Sequence, residues 1–102
     1  MKSPHAFIFR GVTIPLNVAD SLKHWIENGR PTGDFLRAVL ENDLKNAIWR
    51  ADANSLEALP TIVSYLHWEA PSLCHGSLAR VTEWPDVLEA MKTADAAPSD
   101  AL

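Results

Sequence analysis

Asp43 is the residue whose surroundings most demand a chemical explanation. In the run from Thr32 to Asp52, TGDFLRAVLENDLKNAIWRAD, it falls at helical spacing among Leu36, Val39 and Ala47, inside an apolar sector. An ionised carboxylate buried there is costly unless paired or hydrogen-bonded. It could act as a ligand-binding or catalytic acid. A tie to Arg50, to Arg80 or to backbone N–H groups at a neighbouring helix start is the commoner fate of a buried charge and is the preferred reading. Cys74-His75, with His67 seven positions before Cys74, has the residue types of a metal site but lacks paired spacings such as C-x₂-C. Adjacent side chains seldom point together, so thiol catalysis by Cys74 with His75 is disfavoured, and His5 and His24 stand alone. The sequence predicts no catalytic residue, no metal ligand and no cofactor.

Binding is the alternative to catalysis, and the aromatics carry it. Trp25 and Trp84 sit on inward stripes and read as core. Tyr65 and Trp68, at i and i+3, lie off the predicted buried stripe of their helix, and Trp49 shares a face with Ala38, Asn42 and Lys45. Exposed aromatics are favoured at protein interfaces, so Trp49, Tyr65 and Trp68 are the expected partner-binding residues, self-association included. The competing explanation is that the N-terminal arm or the tail covers them. A second reading places a polar metabolite or nucleotide at Arg30, Asp34 and Asp43, where the start of the helix would favour an anionic group. Arg37, Glu41 and Lys45 step by four along one helix, which is ordinary surface pairing.

The elements that would position these residues are helical. Val18, Leu22, Trp25 and Ile26 form one stripe ending at Asn28-Gly29, a left-handed stop. Thr32 to Asp34 offers an N-cap, and Leu36, Leu40, Leu44, Ala47 and Ala51 form the next stripe, widened by Phe35, Val39 and Ile48. A third helix starts near Asn54 with Leu56, Leu59, Ile62, Val63, Leu66 and Ala70 inward; Pro60 predicts a kink or a start delayed to about residue 59. In a fourth, Leu78, Val81 and Trp84 face inward, with an interruption at Pro85. The expected fold is an all-α bundle of about four helices, roughly 17–28, 33–50, 55–70 and 77–91. An apolar N-terminal arm over 1–14, preferred to a short hairpin around Gly11, completes one domain over 1–92. Residues 93–102 read as a disordered, acidic tail.

Composition narrows the class further. The 102 residues are 47% hydrophobic and 22% charged, as in ordinary globular domains. The net charge of −4 and the absence of any Lys/Arg run argue against direct nucleic-acid binding. One cysteine permits no internal disulfide, and no stretch approaches a signal peptide or membrane span, so a cytosolic protein is expected.

Three blocks carry a resemblance: P-x-G-x-F-L-x-A-V-L-x-N-D-L-x-x-A from Pro31 to Ala47, R-A-D from Arg50 to Asp52, and I-V-x-Y-L-x-x-x-A-P-x-x-C-x-G-S from Ile62 to Ser77. Together they resemble a family of short, mostly uncharacterised proteins of tailed bacteriophages and prophages, over roughly Ile14 to Trp84. Relatives carry an aromatic where His75 stands and Tyr-Asn where His67-Trp68 stand, which weighs against either histidine as a ligand. The resemblance implies a phage accessory protein rather than a known reaction. The expected function is stoichiometric binding of a host or phage protein, most plausibly to inhibit a host defence factor; small-molecule or nucleotide sequestration is the alternative.

Overall fold

The computed structural model describes residues 1–100, with side chains through residue 93. The chain is mainly helical, with one two-stranded sheet near its start. Strands β1 (Ile8–Phe9) and β2 (Val12–Thr13) pair antiparallel, Ile8 opposite Thr13 and Phe9 opposite Val12. Arg10 and Gly11 link them with φ values of 52° and 79°. Two successive positive φ angles give the turn whose twist matches paired strands, and glycine at the second position makes it accessible. The preferred irregular arm is thus corrected to a hairpin. Two strands are marginal alone, and this pair is held against a helix.

Helix α1 spans Leu16–Asn28 and buries Val18, Ala19, Leu22, Trp25 and Ile26. It stops where the sequence predicted, at Gly29 with φ 67°. A Cβ at Gly29 would lie 3.1 Å from the Pro85 Cα, so close approach of two backbones reinforces the need for glycine.

The predicted 33–50 helix is two helices: α2 (Asp34–Leu40) and α3 (Leu44–Arg50), each of seven residues. Asn42 takes a left-handed φ of 63°. Its N–H donates to the Val39 carbonyl at 3.1 Å, and the Asp43 N–H donates to the Ala38 carbonyl at 2.8 Å. These bonds make the Schellman pattern that closes a helix. Asp43 then caps α3, its carboxylate accepting from the Asn46 N–H at 3.3 Å. Asn-Asp here is a corner, not a helix interior, and it turns Leu44 and Ile48 out of the core, where they were expected.

Helix α4 spans Ala53–Trp68, capped by Asp52 rather than Asn54, with the Asp52 carboxylate accepting from the Ser55 N–H at 2.7 Å. It begins before Pro60 and runs through it, so of the two expected effects of Pro60 the start delayed to about residue 59 is not found. Pro60 lies on the exposed side, where water can satisfy the Leu56 carbonyl that loses its donor.

A short turn over Ser72–Cys74 leads to α5 (Leu78–Asp100). The Gly76 N–H donates to the Leu40 carbonyl at 2.7 Å, fastening this loop to the end of α2. Ser77 caps α5, its hydroxyl accepting from the Arg80 N–H at 3.1 Å. Val81 and Trp84 are buried as expected, but Leu78 is exposed and the helix continues through Pro85. Helix α5 runs past the predicted end at residue 91 and takes in residues 93–100 of the expected disordered tail; the side chains from 94 onward and residues 101–102 lie outside the described residues.

The core joins Leu22, Trp25 and Ile26 of α1, Leu36 and Leu40 of α2, Ala58, Ile62, Tyr65 and Leu66 of α4, and Trp84 of α5. Among the described residues every buried side-chain nitrogen and oxygen has a hydrogen-bond partner. No described helix is long and apolar enough to cross a membrane.

Candidate functional site

Helix α3 owes its conformation to capping more than to burial. Ala47 is its single buried residue. Leu44, Ile48 and Trp49 are exposed, Trp49 at 74% and Leu44 at 64%. At the far end of α4, Trp68 is 72% exposed, with the His67 ring edge-on to it at a centroid distance of 4.6 Å. Trp49 and Trp68 are therefore exposed, as their positions on the helical wheel predicted. Leu44 and Ile48 join Trp49 on α3, and sequence reasoning missed them. The signal was the Asn-Asp pair, which permits a left-handed residue followed by a cap.

Tyr65 does not belong to this surface. It is fully buried, its hydroxyl donates to the Lys2 carbonyl at 2.6 Å, and the Phe7 ring meets it edge-on at 5.3 Å. Burial first, then the negative charge of Glu69, pushes its hydroxyl up to about 12. The buried face of α4 is Ser55, Ala58, Thr61, Ile62, Tyr65 and Leu66, about a quarter-turn from the predicted stripe. The hairpin causes the shift. Its Val12 carbonyl accepts from the Thr61 hydroxyl at 3.1 Å, and the small side chains of Ser55, Ala58 and Thr61 form part of the covered face.

The alternative ligand residues come only partly together. Asp34 and Asp43 line one shallow depression of about 280 Å³ with Arg37, Glu41, Asn46 and Arg50; Arg30 is not among its lining residues. Arg50 is already paired with Asp34 at 3.0 Å, and Arg37 with Glu41 at 2.6 Å. The Asp43 carboxylate is tied to Asn46, not to Arg50 or Arg80, and accepts from the Asn46 side-chain amide at 2.7 Å. The amide and backbone N–H of Asn46 hold Asp43 below the usual carboxylate range. It is thus an ionised cap, poorly placed to donate a proton. Asp34 sits in the first turn of α2 and takes the place an anionic ligand would need. Asp34 and Arg50 also line a neighbouring pocket of about 220 Å³ with Val18, Phe35, Asp52 and Ser55.

The Cys74 region is structural. Its thiol is fully buried, and burial pushes it up to about 12, so it stays protonated near neutrality. Burial, and then the Arg80 charge, hold His75 below its ordinary value. The Arg80 guanidinium donates to the Ser72 carbonyl at 3.1 Å and to the His75 carbonyl at 3.4 Å, stapling the loop. Among the described residues no three His, Cys, Asp or Glu side chains gather as a metal ion would require.

No family model matches this chain, and no curated protein or solved structure matches it.

Proposed function

We propose that this chain is a phage accessory protein that acts in the host bacterial cytosol by stoichiometric binding, occupying a host protein and thereby inhibiting or modulating a defence factor. The contact surface is the outer side of α3, with Leu44, Ile48 and Trp49, together with Trp68. One observation carries the binding part of the reading: α3 buries only Ala47 while leaving a tryptophan and two large aliphatic side chains in solvent. Such a helix contributes little apolar burial to its own fold, and a buried tryptophan is a common anchor of binding energy. The phage and host-defence part rests on the sequence resemblance of the Pro31–Ala47, Arg50–Asp52 and Ile62–Ser77 blocks.

Capture from bacterial lysate with the full chain and its Trp49→Ala variant, read by mass spectrometry, tests this. A host protein retained by the parent chain and lost from Trp49→Ala, at unchanged circular dichroism, is the expected result. Equal capture by both chains would overturn the assignment of the surface.

A second reading, sequestration of a small polar molecule, is favoured by the two depressions that share Asp34 and Arg50. Because both arginines are paired with acids, the fitting ligand is zwitterionic or cationic rather than a nucleotide. Thermal stabilisation across a metabolite panel, lost in Asp34→Ala, distinguishes it from protein binding.

A further inference from the structure

Helix α4 is apolar on two opposite sides. Its inner side is covered by the chain itself. Its outer side carries Leu56, Pro60, Val63 and His67 at steps of four, three and four, all exposed. Val63 is 50% exposed and Leu56 47%. A helix apolar all round is normally covered all round, and among the described residues nothing covers this stripe.

The titratable side chains of α4 are Glu57, His67 and the buried Tyr65. Glu57 and His67 are both exposed and stand ten positions apart, about 15 Å along the axis, one near each end of the stripe. That arrangement is complementary to itself when reversed. A two-fold axis passing near residue 62 sets Glu57 of each copy beside His67 of the other, so the pair forms twice. The same register brings Pro60 opposite Ser64, whose modest side chains let the helices approach, and Leu56 opposite Trp68. A parallel pairing would instead set Glu57 against Glu57. An isologous contact requires a surface to complement its own image, and this stripe does so through its only two exposed titratable groups.

We infer that the outer face of α4 is a homodimer interface, in which Pro60 and Val63 of two antiparallel copies pack together near the two-fold axis and Leu56 of each packs against Trp68 of the other, with Glu57 of each copy hydrogen-bonded to His67 of the other. This goes beyond the proposed host-binding surface: it shares Trp68 with that surface but uses neither Leu44, Ile48 nor Trp49, and Trp49→Ala leaves it intact.

Sedimentation equilibrium of the full chain over a range of concentrations tests it. The parent chain is expected to be dimeric, and Val63→Glu monomeric with unchanged circular dichroism and Tm. Leu56→Lys is a second disrupting variant should Val63→Glu perturb the helix. Glu57→Lys and His67→Glu, each present twice per dimer, should weaken association about tenfold or more, and the double variant should restore it to within a few-fold. A parent chain that stays monomeric throughout, or a dimer indifferent to both Val63→Glu and Leu56→Lys, would overturn the interface. A double variant no better than either single one would overturn the antiparallel register. Loss of host-protein capture in Trp49→Ala alters none of these outcomes, so the two readings fail separately.

Discussion

The indole N–H of Trp84 donates to the backbone carbonyl of Trp25 at 2.9 Å, and the Trp25 indole donates in turn to the Cys74 carbonyl at 3.0 Å. Both rings are buried, so each contributes a large apolar body while its polar tip is satisfied. The relay pins α5 to α1 and α1 to the loop before α5. Trp84→Ala removes the ring and the bond together and should cost about 3–5 kcal/mol, a large part of the ~5–15 kcal/mol typical of a folded domain. Urea denaturation followed by circular dichroism measures this. A loss below about 1 kcal/mol would mean that α5 is not anchored through Trp84.

Tyr65 is the chain's only tyrosine, so its ionisation can be followed cleanly by ultraviolet absorbance. In the folded protein the phenolate should form only near pH 12, against about 10 in denaturant. The raised value means that the neutral hydroxyl is the form the fold favours, and its contribution is lost as pH rises above the unfolded value. Tyr65→Phe should cost about 1 kcal/mol by releasing the Lys2 carbonyl. Titration near the unfolded value in the native protein would put the ring at the surface after all.

Acid should destabilise the protein in two stages. His75 is held below its ordinary 6.5, so it favours the neutral form when folded. That contribution is complete above the unfolded value and fades as pH falls through the lower, folded one. Asp43 is held below 3.8 by the side-chain amide and then the backbone N–H of Asn46, and Asp52 by the backbone N–H of Ser55 that it caps. Their contribution is complete above 3.8 and is lost as pH drops through their folded values. Thermal melts across this range should therefore show a first decline that His75→Gln removes. A second decline, at lower pH, should be removed by Asp43→Asn with Asp52→Asn. A melting curve in which His75→Gln changes nothing would contradict the burial of that imidazole.

Cys74, the single cysteine, should resist thiol reagents in the native state near neutrality because its thiol is both buried and protonated. Labelling should proceed at the rate of unfolding and accelerate in Trp84→Ala. Rapid labelling of the native parent chain would show that the loop from Ser72 to Gly76 opens far more easily than its bonds to Arg80 and Leu40 imply.

The outer surface was half legible. Trp49 and Trp68 stood off every apolar stripe, and they are exposed. Leu44 and Ile48 were assigned to the core because an unbroken 33–50 helix would have carried them there. The Schellman closure at Asn42 and the cap at Asp43 break that helix, and the phase of the stripe is lost across the corner. The same corner explains Asp43. It was conspicuous only as part of a continuous helix, and as a cap its carboxylate has an ordinary reason to be where it is.

The sequence alone determined what short-range physics decides. Helical periodicity and local stops located α1, the left-handed end at Gly29, and the buried Trp25 and Trp84. Each of those features is settled within a few residues, by side-chain spacing or by the conformational freedom of one glycine. Which side of α4 faces inward was decided only by tertiary structure. Val12 reaches Thr61 across 49 positions and Lys2 reaches Tyr65 across 63. These two bonds, one to the hairpin and one to the residues that precede it, accompany the burial of Tyr65 and leave Leu56 and Val63 outside. A helix apolar on both sides has no local preference between them, and the choice falls to whichever distant segment lands on it.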